Sequence, residues 1–353
     1  MRAVKSALLA STFLFTSTAV ATADVKVVAS IKPVHSLVAS VMQGVSEPSL
    51  LVEGAGSPHT YSLKPSQAKE LQAADIVFWM SHDLEAFLEN SIESIAKNAK
   101  AVSLMDSHGL MKLNFREGGA FDAHDHGHDD HGDDKHDDHG HDKHDDHGHD
   151  KHDDHGHDKH DDHGDDKHDD HGHDKHDEHG HDEVDPHVWL DPQNAKSLVH
   201  EIEEHLAEID PSNAAKYEAN AKAVMKKLDA LTKEIEADLK PIRETGYVVF
   251  HDAYQYFEKR FGVSAVGSIT VSPEVLPGAE RVSELRDKVK SLNASCVFSE
   301  PQFEPKLVKT ITENTDAGTG VLDPLGANIK DGPELYFTLI RNMAKSLKDC
   351  LMN

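Results

Sequence analysis

The stretch PSNAAKYEANAKAVMKKLDALTKEIEADLKP, residues 211 to 241, lies between two regions in which short apolar runs alternate with helical patterns. Its own apolar residues recur at helical spacing, at Tyr217, Val224, Leu228, Leu231, Ile235 and Leu239. Proline near its start and proline at its end bracket one continuous helix of about 30 residues, about 45 Å long. Because a single long helix is stiff, we expect it to permit only limited closure of the regions it connects.

Strand-like runs rich in β-branched residues flank this helix on both sides. Four precede it: VKVVASI (25–31), SLLVEG (49–54), DIVFWMS (75–81) and AVSLM (101–105). Four follow it: GYVVFHDA (246–253), VSAVGSI (263–269), SCVFSEP (295–301) and GVLDPL (320–325). Strands joined by helical crossovers form parallel sheets. The sequence therefore predicts an α/β fold with two lobes of about four βα units each, joined by one long rigid helix; the predicted boundaries are 24–210, 211–241 and 242–353.

The first 23 residues have a basic start, an apolar stretch and small residues ending at Ala23, which is the pattern of a cleaved secretory signal. No later apolar run approaches the roughly 20 residues needed to span a bilayer. We therefore expect a soluble exported protein that begins at Asp24. The two cysteines, Cys296 and Cys350, would form a disulfide by default in an oxidising compartment, with two buried thiols as the alternative.

Seven eight-residue units run from His128 to Glu183, and two of them read HDDHGHDKHDDHGHDK at 144–159. The stretch 124–183 holds 21 of the 29 His and has a net charge of -19, which leaves -9 of the total of -28 for the rest of the chain. Because it contains no apolar residue, it cannot bury enough surface to offset the entropy of ordering, and we predict a disordered insertion. Without a basic face elsewhere, nucleic acid is a poor candidate partner.

Eight histidines lie outside these units, and three of them have contexts that suit a metal ligand. His59, in GSPHTYSLKPSQ, lies in the loop after the second strand run; His187, in VDPHVWLDPQNA, is flanked by prolines; His251 ends the run YVVFHDAY. Ligands of open α/β sheets bind at the C-terminal ends of strands, so one imidazole from each context would give a site between the lobes. Taken alone, each histidine fits a hydrogen-bonded surface or core residue better than a ligand, because dispersed histidines have no metal-binding spacing of their own.

The other histidines give weaker signals. His200 and His205 resemble the paired histidines of a zinc-protease helix, but that motif needs a spacing of four residues, and five residues place them about 140° apart around a helix. We expect both to face the surface. His35 is expected to cap or open the first helix, and the sequence suggests no partner for His82 or His108.

Five motifs occur in an order that resembles the metal-binding solute-binding proteins of ABC importers: SPHTYSLKPSQAKELQAADIVFW, DPHVWLDPQNA, VFHDAYQYFEKRFG, VFSEPQF and LDPLG. The resemblance covers essentially the whole mature chain and is greatest to the zinc-specific periplasmic branch, including a His- and Asp-rich insertion before the second metal histidine. It implies zinc bound between two lobes by His59, His187 and His251. It also implies a disulfide between Cys296 and Cys350.

Residue type supports zinc, because three neutral imidazoles favour a tetrahedral zinc site, whereas manganese prefers more carboxylate oxygens. Manganese-binding relatives typically carry Glu where this chain has His251. Some zinc-binding relatives have a Glu just before the first histidine, where this chain has Pro58. Three candidates remain for the fourth ligand: water, a histidine of the insertion, and Asp323. Asp323, in LDPL, matches a carboxylate ligand of the manganese branch. The sequence predicts Glu300 to be an ordinary polar loop residue, with a contact to a metal ligand as the weaker alternative.

The expected function is capture of periplasmic zinc by a monomer and its delivery to the membrane subunit of an ABC permease. The insertion would be an auxiliary, low-affinity zinc collector, because an ion must order several residues of a flexible chain to bind there; its representative ligands are His139, His141, His144, His147, His149, His152, His155 and His157. For the insertion, the alternative to a collector is an acidic spacer whose histidines have no role. For the whole protein, one alternative is a zinc buffer or chaperone that acts mainly through the insertion. Another is a zinc hydrolase, for which the sequence marks neither a general base nor a substrate pocket.

Overall fold

The computed structural model describes residues 24–116, 121, 184–270, 278–292, 294–303 and 305–352. Two predicted segments lie outside the described residues: the secretory signal of residues 1–23 and the octad insertion, which is the stretch of eight-residue units within 124–183. The cleaved signal, the disorder of the insertion and the ligand role of its histidines from His139 to His157 therefore stay predictions. In the described part of the chain, no helix is both long and apolar enough to cross a membrane.

Two four-stranded sheets form the framework, and all their strand pairs are parallel. The first sheet has the order β2-β1-β3-β4, with β1 at Val27–Ala29, β2 at Ser49–Leu50, β3 at Ile76–Trp79 and β4 at Lys100–Ser103. The second repeats this order as β6-β5-β7-β8, with β5 at Tyr247–His251, β6 at Ala265–Thr270, β7 at Cys296–Ser299 and β8 at Gly318–Val321. Each strand overlaps the run predicted for it, so the prediction of two four-stranded α/β lobes is confirmed.

Helices cover both sheets. They are α1 (Lys32–Val41), α2 (Pro65–Gln72), α3 (Ala86–Ile95), α4 (Pro192–Ile209), α5 (Ala214–Leu239), α6 (Gln255–Phe261), α7 (Ala279–Ser291), α8 (Pro305–Thr312) and α9 (Leu335–Leu351). Helix α4 shows how the sequence starts a helix. Pro192 occupies its first turn, and the Asp191 side chain accepts a hydrogen bond from the Gln193 amide at 2.9 Å.

The predicted joining helix is α5, a single helix of 26 residues that is about 39 Å long. It begins later than predicted because Asp210 organises a turn ahead of it: its carboxylate accepts hydrogen bonds from Ser212 and Asn213, both at 2.6 Å. At its other end the chain enters a short 3-10 helix at Lys240–Ile242. The apolar face of α5 is buried against helices that include α4 and α9. The position of α5 is therefore fixed by packing, in addition to the stiffness of the helix itself.

Strand β5 shows why His251 points into the protein. All five residues of β5 are buried, as expected for a parallel strand covered on both faces. Side chains alternate along a strand, and Tyr247 and Val249 contribute to the main core while Val248 and Phe250 pack into a smaller cluster on the other face. The same alternation places His251 on the face of Tyr247 and Val249.

Cys296 and Cys350 form a disulfide, which confirms the predicted bond and excludes the buried-thiol alternative. The bond joins the start of β7 to the last turn of α9. Gly318 makes room for it, because a side chain there would place its Cβ 3.2 Å from the sulfur of Cys350. The disulfide thus attaches the C-terminal helix to the second sheet.

Candidate metal centre

The structure brings His59, His187 and His251 together. Ligand atoms of the three imidazoles lie within 4.8 Å of one another, and no other group of this kind occurs among the described residues. The ring centroids of His187 and His251 are 5.3 Å apart, and that of His59 is 5.6 and 5.9 Å from them. In a tetrahedral zinc site with Zn–N bonds of about 2.0 to 2.1 Å, nitrogens are about 3.3 Å apart. Closing these separations by at most about 1.5 Å would therefore allow all three to bind one ion.

His59 lies in the loop between β2 and α2, at the C-terminal end of the first sheet. The buried side chain of Gln67, in α2, closes this loop by donating to the Tyr61 hydroxyl at 2.9 Å and accepting from the Lys64 amide at 2.9 Å. Tyr61 in turn donates to the carbonyl of Leu51 at 3.2 Å. These hydrogen bonds connect the chain before the half-buried His59 to the chain after it and so fix the loop in which His59 lies.

His187 is oriented by Asp185. The Asp185 carboxylate accepts a hydrogen bond from the His187 amide at 2.9 Å and lies 2.6 Å from the imidazole Nδ1. Gln255 donates to its second oxygen at 2.7 Å. Burial raises the pKa of Asp185 to about 7, although the His187 amide and Gln255 oppose the shift. Because Asp185 holds Nδ1, we expect Nε2 of His187 to be the nitrogen that binds a metal.

His251 is oriented in the same way by a carboxylate from the neighbouring strand. Glu300 follows β7 directly, and its Oε1 lies 2.7 Å from His251 Nδ1. Burial alone would lower the pKa of His251, but the charge and hydrogen bond of Glu300 raise it above its ordinary value. Nε2 of His251 is buried without a hydrogen-bond partner. Since an unsatisfied buried polar atom costs about 1 to 3 kcal/mol, this nitrogen suits a metal ion that would occupy its lone pair.

The sequence identified one of these two carboxylates only weakly and missed the other. The prediction that Glu300 is an ordinary polar loop residue is wrong, because Glu300 is buried and contacts the candidate ligand His251, as in the weaker alternative. From the sequence, no role is predicted for Asp185. The sequence does contain a signal for its contact with His187, because Asp185 lies two residues before His187 with Pro186 between them. An aspartate carboxylate commonly accepts a hydrogen bond from the backbone amide two residues further on.

Asp323 does not join the three histidines in this structure. Its Oδ1 accepts hydrogen bonds from the amides of Leu325 and Gly326 at 3.1 and 2.9 Å, and its Oδ2 accepts from the amide of Ala327 at 2.7 Å. Gln302 donates a further bond at 3.1 Å. Asp323 thus stabilises the turn after β8, where Gly326 adopts a φ of +74°, and a metal would have to compete with these donors.

Apolar side chains form much of the wall around the imidazoles. The small pocket they share is lined by Pro58, Trp189, Phe303, Pro324 and Leu325 together with Glu300 and Gln302. Trp189 Nε1 donates to the carbonyl of Pro324 at 2.9 Å, which links the segment after His187 to the second lobe. Such a wall restricts water and strengthens electrostatic interactions within the site.

The remaining described histidines lie apart from this group. His35 is buried in the first turn of α1, where its Nε2 lies 3.0 Å from the carbonyl of Pro48. His82 pairs with Glu89 at 2.7 Å, and the exposed His108 lies 4.0 Å from Glu201. His200 and His205 pair with glutamates of α4 itself, as expected for residues on its outer surface.

Comparisons with known proteins agree with this geometry. The family model "Zinc-uptake complex component A periplasmic" (ZnuA) matches residues 27–350. The "High-affinity zinc uptake system protein ZnuA" of Brucella abortus (strain 2308) is 56% identical over 353 residues, which cover 99% of each chain.

Among solved structures, a crystal structure of ZnuA has a TM-score of 0.67 and 22% identity, covering 93% of this chain and 100% of that one. A zinc-bound deletion mutant of ZnuA has a TM-score of 0.66 and 22% identity, covering 93% of this chain and 98% of that one. At this identity, the likeness concerns the fold. The family match and the Brucella relative carry the assignment: the chain belongs to the ZnuA family of periplasmic zinc-uptake components, which are transport proteins and not enzymes.

Proposed function

We propose that His59, His187 and His251 bind one zinc ion tightly and that the protein delivers it to the membrane subunit of an ABC permease. The observation that carries this proposal is the meeting of three imidazoles, two of them held at Nδ1 by buried carboxylates. Hydrogen bonds of this kind fix the ring orientation and increase the basicity of a metal-binding imidazole. The carboxylates of Asp185 and Glu300, when ionised, also offset the charge of a divalent ion.

The donor set favours zinc over manganese. The group contains three imidazole nitrogens and no carboxylate oxygen among the described residues, whereas manganese prefers oxygen ligands and higher coordination. For the fourth position we favour water or a histidine of the insertion over Asp323, because four hydrogen-bond donors already surround the Asp323 carboxylate.

The lobes 24–210 and 242–353 would act as the two metal-binding domains of a monomer. The first supplies His59 and His187, and the second supplies His251. Helix α5 joins them as one rigid element. We therefore expect zinc loading to draw the histidines together by small displacements rather than by a wide hinge motion.

Replacing Glu300 with glutamine should lower zinc affinity by about 10- to 100-fold, the usual effect of removing a hydrogen-bond partner of a metal ligand. The pKa of His251 in the zinc-free protein should fall, because burial would no longer be opposed by the carboxylate charge. Chelator competition measures the first effect, and NMR titration of the imidazole measures the second.

The matched control is Glu334→Gln, which removes an exposed carboxylate that pairs with Lys227. It should leave both quantities unchanged. Wild-type zinc affinity in Glu300→Gln would contradict the proposed role of Glu300.

We propose further that the octad insertion is a weak collector of several zinc ions beside the tight site. The support is its composition: each unit offers two or three His and several carboxylates, and tethering raises their effective concentration near the cleft. A ZnuA deletion mutant that lacks its residues 138-173 still has zinc bound, which is consistent with a zinc site that does not need every part of the chain.

Deleting residues 124–183 should remove the weak zinc sites and keep the tight one. Calorimetric titration of the intact protein should show one tight ion followed by several weaker ones, and the deletion variant should show the tight ion alone. A variant that keeps the insertion but replaces its histidines with glutamine is the control for length and charge, and it should behave like the deletion. Unchanged total stoichiometry after deletion would refute the collector, and loss of the tight ion would favour the buffer alternative.

A further inference from the structure

Arg116 places a positive charge between two buried carboxylates of the second lobe. Its Nε donates to the two oxygens of Asp252 at 2.9 and 3.1 Å, with a further bond from Nη2 to Asp252, and its Nη1 donates to Glu258 at 2.7 Å. The side chains of Asp252 and Glu258 are 3% and 5% exposed. A planar guanidinium suits such forked pairing, whereas a lysine ammonium does not reproduce it.

The partner of Arg116 is directly attached to a candidate ligand. Asp252 follows His251, and the amide of Ala253 donates to the His251 carbonyl at 3.0 Å, which makes the turn tight. In such a turn, a displacement of the Asp252 side chain moves the backbone of the residue before it. Fixing Asp252 therefore fixes the end of β5 from which His251 projects.

The segment that carries Arg116 is also bound to the segment that carries His187. The amide of Asp185 donates to the carbonyl of Leu113 at 2.9 Å, and Asn114 and Val184 form an antiparallel bridge. The side chain of Gln255, at the start of α6, donates both to the Asn114 carbonyl at 3.1 Å and to Asp185 at 2.7 Å. Residues 113–116, residues 184–187 and the start of α6 thus form one hydrogen-bonded unit.

We propose that Arg116 is a positioning residue of the zinc site, which holds the turn of His251 in register with the segment of His187. The inference rests on the proposed ligand set and adds a residue that acts through Asp252. Removing Arg116 would leave the buried carboxylates of Asp252 and Glu258 without the positive charge that Arg116 supplies. The turn would rearrange to relieve this, and zinc bonds of about 2.0 to 2.1 Å tolerate little displacement of an imidazole.

The test measures zinc affinity in the full chain carrying Arg116→Gln or Arg116→Lys. Chelator competition is run near neutral pH with less than one equivalent of zinc, so that only the tightest site fills. Arg116→Gln should lower the affinity by about 10- to 100-fold, and Arg116→Lys by about tenfold, because lysine keeps the charge but loses the fork. The visible absorption of bound cobalt should change in both variants, since it reports ligand geometry.

Arg260→Gln is the matched control for simple destabilisation. Arg260 makes a similar forked pair with the fully buried Asp191, at 2.6 and 2.7 Å, but Asp191 caps α4 and does not adjoin His251. This variant should lower the melting temperature while zinc affinity stays within about threefold of wild type.

Equal losses of affinity in Arg116→Gln and Arg260→Gln would overturn the proposal, as would wild-type affinity and cobalt absorption in Arg116→Lys. If Arg116→Gln does not fold, Arg116→Lys decides alone. His251→Ala in the same series separates the two proposals, because wild-type affinity in that variant would refute the ligand set itself.

Discussion

Replacing any one of His59, His187 and His251 with alanine is expected to lower zinc affinity by about one to several orders of magnitude, because a site with three protein ligands has little to substitute for one of them. His187→Ala and His251→Ala also remove the partners of the buried Asp185 and Glu300, so their melting temperatures must be measured alongside. Chelator competition on the chain without residues 124–183 isolates the cleft from the insertion.

His200→Ala and His205→Ala provide controls of the same residue type. Both histidines lie on α4 and pair with glutamates of that helix, so their loss should change zinc affinity little. Equal losses in all five variants would show that affinity follows the total number of histidines and not this site.

Reduction of the Cys296–Cys350 disulfide is expected to destabilise the protein without weakening zinc binding. The two residues are separated by 54 positions, and closing a loop of that length stabilises the fold by about 4 kcal/mol in the chain-entropy model. For a domain of this size, that corresponds to a loss of about 8 to 16 °C in melting temperature. Calorimetry with and without reductant measures it.

Zinc affinity should survive reduction because the disulfide lies at the opposite end of β7 from Glu300. Cys296 begins the strand, and Glu300 follows its last residue, so about 13 Å of strand separates them. The double variant Cys296→Ala, Cys350→Ala is the control for side effects of the reductant. An unchanged melting temperature, or a parallel loss of zinc affinity, would contradict this account.

Patterns local in the chain predicted the framework. All eight strands were predicted from short β-branched runs, and α5 from apolar residues at helical spacing. The ends were less accurate: β2 is confined to Ser49–Leu50, and β8 ends at Val321, before the predicted run reaches Asp323. At Asp323 the carboxylate binds amides of its own turn, a local hydrogen-bond pattern that apolar spacing does not reveal.

The sequence by itself determined the two α/β lobes, the helix between them and the three candidate histidines, because periodicity and motif identity are properties of neighbouring residues. Only the tertiary structure decided what surrounds those histidines. Glu300 reaches His251 across 49 positions because β7 lies beside β5 in the sheet, and Arg116 reaches Asp252 across 136 positions. Such contacts depend on the order of strands in the sheet and on the packing of the lobes. Once formed, they persist because an unpaired charge in the protein interior costs more free energy than the conformational preference of a single residue contributes.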